Sequence, residues 1–197
     1  MQKPALKYLT PEEYLAMEEI SEIRHEYYQG EIFAMAGGTN DHNMIAGDVH
    51  TRMNLALTEK GCLVYMADMQ LWVEANRLMA YPDVMAVCGE PKYYEDRTDV
   101  ITNPIVIVEV LSKSTKDYDR GDKFKLFQSI PTFQEYILID QYTIHIEQYY
   151  LEAPKKWAIL EYNRLTDILK FAKIDCQISL QDIYRRVKFA KGMAQRA

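Results

Sequence analysis

The chain has few cysteines and no long apolar run, and each absence excludes a class of protein. Its three cysteines, Cys62, Cys88 and Cys176, match neither a disulfide framework nor the ligand spacing of a zinc site. We therefore interpret them as buried, reduced thiols, which predicts a cytoplasmic protein. No apolar run reaches the roughly 18 residues that a membrane span requires. Residues 1–19 also lack the apolar segment of a secretory signal.

The chain also lacks an excess of positive charge. Its 23 Lys and Arg residues are outnumbered by 29 Asp and Glu residues, which gives a formal net charge of −6. Proteins that bind nucleic acid over a broad electrostatic surface use many Lys and Arg contacts to phosphate. The charge balance argues against such a surface, but it is compatible with a small site where a metal ion supplies the positive charge.

Linkers, repeats and low-complexity stretches are absent too, so we predict one domain spanning residues 1–197. The hydrophobic fraction of 48% is that of a folded globular protein. Helical patterns occur over residues 9–19, 40–61 and 116–130, with strand-like runs between and after them. This order predicts an α/β fold with a mixed β-sheet flanked by helices.

Two acidic residues interrupt apolar runs that have the pattern of central strands. Asp83 lies in YPDVMAVCG and Glu109 in PIVIVEVLSKST. Two carboxylates within about 4 Å repel by roughly 1–4 kcal/mol, a cost that a shared divalent cation removes. If the strands are neighbours, both acids reach one ion, which would position a water beside a phosphodiester. In the alternative, Asp83 caps a strand and Glu109 pairs with an arginine such as Arg120.

These segments resemble the PD-(D/E)XK nuclease motif of the restriction-endonuclease-like superfamily, with 25 residues between Asp83 and Glu109. More narrowly, the chain resembles the Uma-type restriction endonuclease family, formerly a domain of unknown function. The resemblance covers about residues 8–150 and includes LTPEEYLAME, RHEYYQGEIFAMAGGTNDHN, YDRGDKFKLFQSIP and EYILIDQ. It implies a restriction-endonuclease-like fold and a Mg²⁺- or Mn²⁺-dependent endonuclease. Its partner would be nucleic acid, with DNA favoured over RNA.

One position departs from the superfamily pattern, which has a lysine two residues after the glutamate where this chain has Leu111. Three lysines are candidates to replace it, namely Lys113, Lys123 and Lys125. Lys113 lies about 13 Å further along the strand. Lys123 shares a helical face with apolar residues at i+4 and i+7, whereas the face of Lys125 has a solvated pattern. We predict that Lys123 supplies the ammonium, and the resemblance implies the same migrated lysine. In the alternative, its stem covers apolar surface and its ammonium is in water.

Glu26 completes the predicted site. In the superfamily an additional acid often comes from the first helix, so the resemblance implies a metal contact or catalytic assistance from Glu26. In the alternative it is a surface residue. The four histidines have no zinc-site spacing, and we interpret them as core or surface residues, although the resemblance allows His42 to contact substrate. The predicted catalytic residues are therefore Asp83, Glu109, Lys123 and Glu26, with the three acids as metal ligands.

Function classes remain open at this point. A metal-dependent nuclease is favoured by the retained Asp–Glu pair. A catalytically silent binding or assembly module is favoured by the acidic balance and the displaced lysine. Hydrolysis of another phosphorylated substrate is a third class, because a fold does not fix a substrate. The 15 tyrosines, with the pairs Tyr93-Tyr94 and Tyr149-Tyr150, predict a homodimer interface.

Overall fold

The computed structural model describes residues 8–189. The predicted domain bounds, 1–197, and the N-terminal stretch that argues against a signal therefore extend outside the described residues. In the described range, the helices are α1 (Pro11–Glu18), α2 (Asn40–Leu57), α3 (Lys116–Tyr118), α4 (Phe124–Phe127) and α5 (Leu180–Ile183). A π-helical segment, Asp119–Lys123, joins α3 to α4. None of the helices in this range has the length and apolarity needed to cross a membrane.

The strands occur in three groups, which α2 and the α3–α4 region separate along the chain. They are β1 (His25–Tyr28), β2 (Glu31–Ala34), β3 (Cys62–Met66), β4 (Gln70–Val73), β5 (Leu78–Ala80), β6 (Val84–Cys88), β7 (Val100–Ile101), β8 (Val106–Leu111), β9 (Glu135–Asp140), β10 (Ile146–Ala153), β11 (Lys156–Tyr162), β12 (Ile168–Lys170) and β13 (Gln177–Ser179). Six of them pair in the order β11-β10-β9-β8-β6-β3, with β8 and β9 parallel. Five pair in the order β2-β1-β5-β4-β7, with β4 and β7 parallel. The predicted mixed α/β fold is confirmed, but the strands divide between two main sheets and a small β12–β13 pair.

The six-stranded sheet is covered on both faces, which explains the near-continuous apolar runs of its central strands. Residues of one parity in β6 and β8 pack with α2 and α5. Residues of the other parity, such as Met85 and Ile107, pack with α4 and with the five-stranded sheet. Asp83 and Glu109 share this second parity, so their side chains project from the same face. Both predicted acids therefore point towards the interface between the two sheets.

Helix α2 begins beside this interface. Thr39 is its N-cap residue, and the hydroxyl of Thr39 accepts a hydrogen bond of 3.2 Å from the backbone N–H of His42. Such a cap satisfies a backbone donor that the first helical turn leaves without a partner. It also fixes the first turn of α2, and with it the position of His42.

The helix predicted over residues 116–130 is interrupted by the π-helical segment Asp119–Lys123. Such segments are rare and occur frequently at functional sites. Asp119 and Lys123, at its two ends, are both buried, and the ammonium of Lys123 lies 5.8 Å from the ring centre of Phe127. The segment therefore turns two charged side chains towards the core.

The interpretation of the cysteines as three buried thiols is wrong for two of them. Cys62 and Cys88 lie opposite each other on β3 and β6 and form a disulfide. Sequence spacing did not reveal the pair, because the two residues meet only through strand pairing. Cys176 is a buried free thiol, as predicted, and burial raises its pKa to about 11. The cytoplasmic location stays a prediction. The disulfide removes one argument for it, because Cys62 and Cys88 are not reduced thiols.

The disulfide gives the first testable expectation. Cys88→Ser should lower the free energy of unfolding by about 2–4 kcal/mol, because the crosslink restricts the unfolded chain. Denaturant unfolding of both proteins with and without reductant measures this. Reductant should destabilise the wild type to the level of Cys88→Ser and leave the variant unchanged. A wild type that is insensitive to reductant would contradict the expectation.

Candidate active site

Asp83 and Glu109 meet across the antiparallel pair β6–β8, in which Val84 is opposite Val108. The backbone N–H of Asp83 donates to Glu109 Oε2 at 3.3 Å. The N–H of Val110 donates to Asp83 Oδ2 at 2.7 Å. Each carboxylate thus accepts a hydrogen bond from the backbone next to the other acid. The two acids are held side by side at one end of β6.

Lys123 extends from the π-helical segment into the same place. Its Nζ lies 2.8 Å from Glu109 Oε1, 3.2 Å from Glu26 Oε1 and 3.7 Å from Asp119 Oδ1. Only 5% of the residue is exposed. Three carboxylates therefore surround the buried ammonium. They compensate its charge, which would be very unfavourable inside the protein if it were unpaired.

The structure thus brings all four predicted site residues together. Glu26 comes from within β1 of the five-stranded sheet, whereas the superfamily pattern would place its additional acid on a helix. Asp83 and Glu109 come from the six-stranded sheet, and Lys123 from the helical segment between β8 and β9. The site therefore lies where β1, the start of β6, β8 and the π-helical segment meet.

The other candidates lie elsewhere. Lys113 lies over the ring of Tyr142 at 5.2 Å. Lys125 pairs on the surface with Asp122 at 3.0 Å. Arg120, the proposed alternative partner of Glu109, instead pairs with Glu147 at 2.7 Å. None of these three cations contacts Asp83 or Glu109 in the described structure.

Sequence reasoning missed two side chains of the site. Asp119 contacts Lys123 from one helical turn away, and its i, i+4 spacing to Lys123 was a usable signal. His42 was interpreted as a core or surface residue, with a substrate contact allowed by the resemblance, but its contact with Asp83 was not predicted: its Nε2 lies 3.2 Å from Asp83 Oδ2. A histidine just after a helix N-cap carries no signal for a partner 41 residues away.

Burial and the neighbouring charges both shift the pKa values of Glu109 and Lys123. Burial raises the pKa of Glu109 well above its usual range. Asp83 and Asp119 raise it further, and Lys123 opposes the shift. Burial acts to lower the pKa of Lys123, but Glu109, Glu26 and Asp119 outweigh it and raise that pKa. These shifts favour the charged form of Lys123 and the protonated form of Glu109.

His42 experiences the same competition. Burial acts to lower its pKa, but the hydrogen bond to Asp83 and the charges of Asp83 and Asp119 together raise it above the ordinary value. The imidazole is therefore a better hydrogen-bond donor to Asp83 than a neutral, isolated histidine would be.

The donor chemistry fits a hard divalent cation. Asp83 and Glu109 offer carboxylate oxygens, which Mg²⁺ and Mn²⁺ prefer. The buried Oε1 of Glu109 has no hydrogen-bond partner in the described part of the chain, since its contact with Lys123 is an ion pair outside hydrogen-bond geometry. Within residues 8–189, no three His, Cys, Asp or Glu side chains converge as a ready-made metal site.

A cleft of about 700 Å³ opens over these residues. Its lining includes residues of the β1–β2 hairpin, of the segment 34–38, of the start of α2 and of the segment from Ser112 to Tyr118. Asp83, Glu109 and Lys123 also line the cleft, so a ligand in the cleft reaches them.

The chain is similar to one family model and to proteins of known sequence or structure. Residues 11–180 match the family described as "Uma2: Putative restriction endonuclease". The uncharacterized protein sll1609 of Synechocystis sp. is 36% identical over 155 residues, covering 79% of this chain and 88% of the relative. The uncharacterized protein slr1290 of the same organism is 35% identical over 181 residues, covering 92% and 94%. A crystal structure from Anabaena variabilis, described as "a putative nuclease belonging to DUF820", has a similar fold. Its TM-score is 0.72 at 14% identity, covering 90% of this chain and 98% of that one.

Proposed function

The chain belongs to the Uma2 family, and we propose on that premise that it is a divalent-metal-dependent endonuclease that hydrolyses phosphodiester bonds of nucleic acid. One observation carries this proposal. Asp83, Glu109 and Lys123 converge from two strands and a helical segment at the base of an open cleft. Two carboxylates can hold a divalent ion that activates a water, and an adjacent ammonium can stabilise charge on the phosphate.

In the proposed mechanism, Asp83 and Glu109 hold the metal. A bound Mg²⁺ or Mn²⁺ would act as a Lewis acid on the phosphate and lower the pKa of a bound water. The backbone N–H groups of Asp83 and Val110 orient the two carboxylates, because each donates to one of them. The protein therefore presents the two acids in a fixed arrangement before the ion binds.

Lys123 has the second role, stabilising negative charge on the phosphate during attack. Its buried ammonium acts in a low-dielectric environment, where such a charge is worth far more than in water. Glu26 and Asp119 keep it at the base of the cleft. Of the two roles predicted for Glu26, the contact with Lys123 favours catalytic assistance, by positioning the ammonium, over direct metal contact.

Other predictions stay predictions. DNA in preference to RNA, a homodimer and a cytoplasmic location need their own measurements. Two tyrosines predicted for the dimer interface have internal partners: Tyr94 packs against Trp72 and Tyr149 against Phe124. Sedimentation of the purified chain tests the homodimer directly.

The decisive experiment measures cleavage of mixed DNA and RNA substrates with Mg²⁺ or Mn²⁺, using the wild type and Asp83→Ala. We expect cleavage by the wild type that chelation abolishes and Asp83→Ala lacks. Calorimetry should detect metal binding only in the wild type. Absence of both cleavage and metal binding would leave the silent binding module as the function. Cleavage that survives Asp83→Ala would assign the activity to another site or to a contaminant.

His42 provides a further prediction. Replacing it with alanine removes the imidazole that lies 3.2 Å from Asp83 Oδ2, so metal affinity and cleavage should fall about 10- to 100-fold, as is usual for groups that orient a ligand. His50, on the same helix, contacts the carbonyl of Val64 and lies outside the cleft lining. His50→Ala is therefore the matched control, and an equal effect of both substitutions would contradict a positioning role for His42.

A further inference from the structure

The β1–β2 hairpin presents one face to the cleft, and its register fixes which residues lie on that face. Gln29 and Gly30 form a two-residue turn with φ of +50° and +98°, a turn type that sets hairpin register. Glu26 is directly opposite Phe33, so their side chains lie on the same face. Arg24 and Tyr28 share that face by alternation, and all four line the cleft.

The residues of β2 and of the segment 35–38 that line the cleft are apolar and open to solvent. Phe33 is 49% exposed, on an edge strand of its sheet. Met35 follows it and also lines the cleft. Tyr118 also lines the cleft, is partly exposed and directly precedes the π-helical segment Asp119–Lys123. The cleft over the proposed site is therefore lined in part by exposed aromatic and thioether side chains.

Positive charge is scarce in the lining of the cleft. Among the described residues that line the cleft, the Lys and Arg side chains are Lys123 and Arg24. Lys123 is enclosed by acids, and Arg24 pairs with Asp68 at 2.5 Å. The lining thus lacks the row of unpaired cations with which proteins follow the two phosphate backbones of a duplex.

We propose that the cleft takes single-stranded nucleic acid, with an unpaired base stacked on Phe33 while the adjacent phosphate reaches Lys123. This inference rests on the proposed function and names its substrate class. A single strand can turn a base towards an aromatic side chain, whereas a duplex keeps its bases stacked inside. Affinity then comes from stacking and from the bound metal. Few phosphate contacts also mean a shallow dependence of binding on salt.

The test uses one labelled oligonucleotide as a single strand and as a duplex with its complement. Fluorescence anisotropy in Ca²⁺, a hard cation that binds oxygen ligands, measures affinity for wild type, Phe33→Ala and Ile32→Ala. Ile32 is the control, because it is 39% exposed on the same strand but opposite Tyr27 on the other face. Cleavage of both substrates in Mg²⁺ is measured in parallel.

We expect the single strand to bind more tightly than the duplex and to be cleaved faster. Phe33→Ala should weaken single-strand binding about 5- to 100-fold, the effect of losing one stacked base, and Ile32→Ala should not. Equal or tighter duplex binding, equal effects of the two substitutions, or no binding to either substrate would overturn the inference. Duplex cleavage at an equal rate would overturn it while upholding the nuclease. Selective single-strand binding without cleavage in any metal would uphold it while refuting the nuclease.

Discussion

Lys123→Met is expected to reduce phosphodiester cleavage by about 100- to 1,000-fold, the usual effect of removing one preorganised group that stabilises transition-state charge. Methionine keeps most of the side-chain volume and removes only the charge and the donors. The remaining acids would still bind metal, so calorimetry should detect an ion in the variant. Loss of cleavage with retained metal binding would identify Lys123 as the group that acts on the phosphate.

The same substitution should change how stability depends on pH. Lys123 opposes the raised pKa values of Glu109 and Asp119, so these rise further without it. A carboxyl with a higher pKa in the folded state contributes stability that is complete at low pH and is lost as pH rises through the folded pKa. In the absence of metal, Lys123→Met should therefore lose about 3–5 kcal/mol of unfolding free energy at neutral pH and distinctly less in mild acid.

Lys125→Met is the matched control for both measurements. Lys125 lies two residues further on and pairs on the surface with Asp122, where a salt bridge contributes little to stability. Its replacement should leave cleavage and the pH dependence of stability unchanged. Cleavage that survives Lys123→Met but not Lys125→Met would transfer the proposed role to the surface lysine. A pH profile shared by both variants would show that the acid cluster does not depend on Lys123.

Glu109→Gln is the second large expected effect. It removes a metal ligand while preserving shape, and cleavage should fall about 1,000-fold, because several kcal/mol of metal-derived stabilisation are lost at roughly 1.4 kcal/mol per factor of ten. Calorimetric metal binding should disappear as well. This result differs from that for Lys123→Met, in which metal binding persists.

Stability provides a second contrast between the two variants. In Glu109→Gln, Lys123 keeps Glu26 and Asp119 as partners at 3.2 and 3.7 Å, so its charge is still compensated. The metal-free variant should therefore be destabilised less than Lys123→Met at neutral pH. Glu147→Gln is the control: Glu147 is also buried in a strand but pairs with Arg120 away from the cleft lining. Retained metal binding in Glu109→Gln would contradict the assignment of the ligand.

Periodic patterns predicted the parts of the site that depend on local structure. Asp83 and Glu109 were recognisable because each interrupts an apolar run in the sequence, and the pairing of β6 with β8 then fixed their common face. Lys123 could be separated from Lys125 because helical periodicity placed it with the buried residues, and Lys123 is buried whereas Lys125 is exposed. In both cases the period of one element contained the information.

Contacts between distant elements were not predictable in this way. His42 meets Asp83 only because the first turn of α2 lies beside the residue that precedes β6. Cys62 meets Cys88 only because β3 pairs with β6. The division of the strands into two sheets was unpredictable for the same reason. Strand patterns predict which segments are buried strands but not which strands pair with each other.

The mutual hydrogen bonds of Asp83 and Glu109 have a consequence for local opening of the protein. Asp83 lies just outside β6, so the bonds from its own N–H and from that of Val110 continue strand pairing through side chains. Shortening either acid frees a backbone amide at the end of the ladder, and that amide should exchange with deuterium faster. The two acids proposed to bind the metal therefore also stabilise the end of β6. Local opening of this strand end would disrupt the site at the same time.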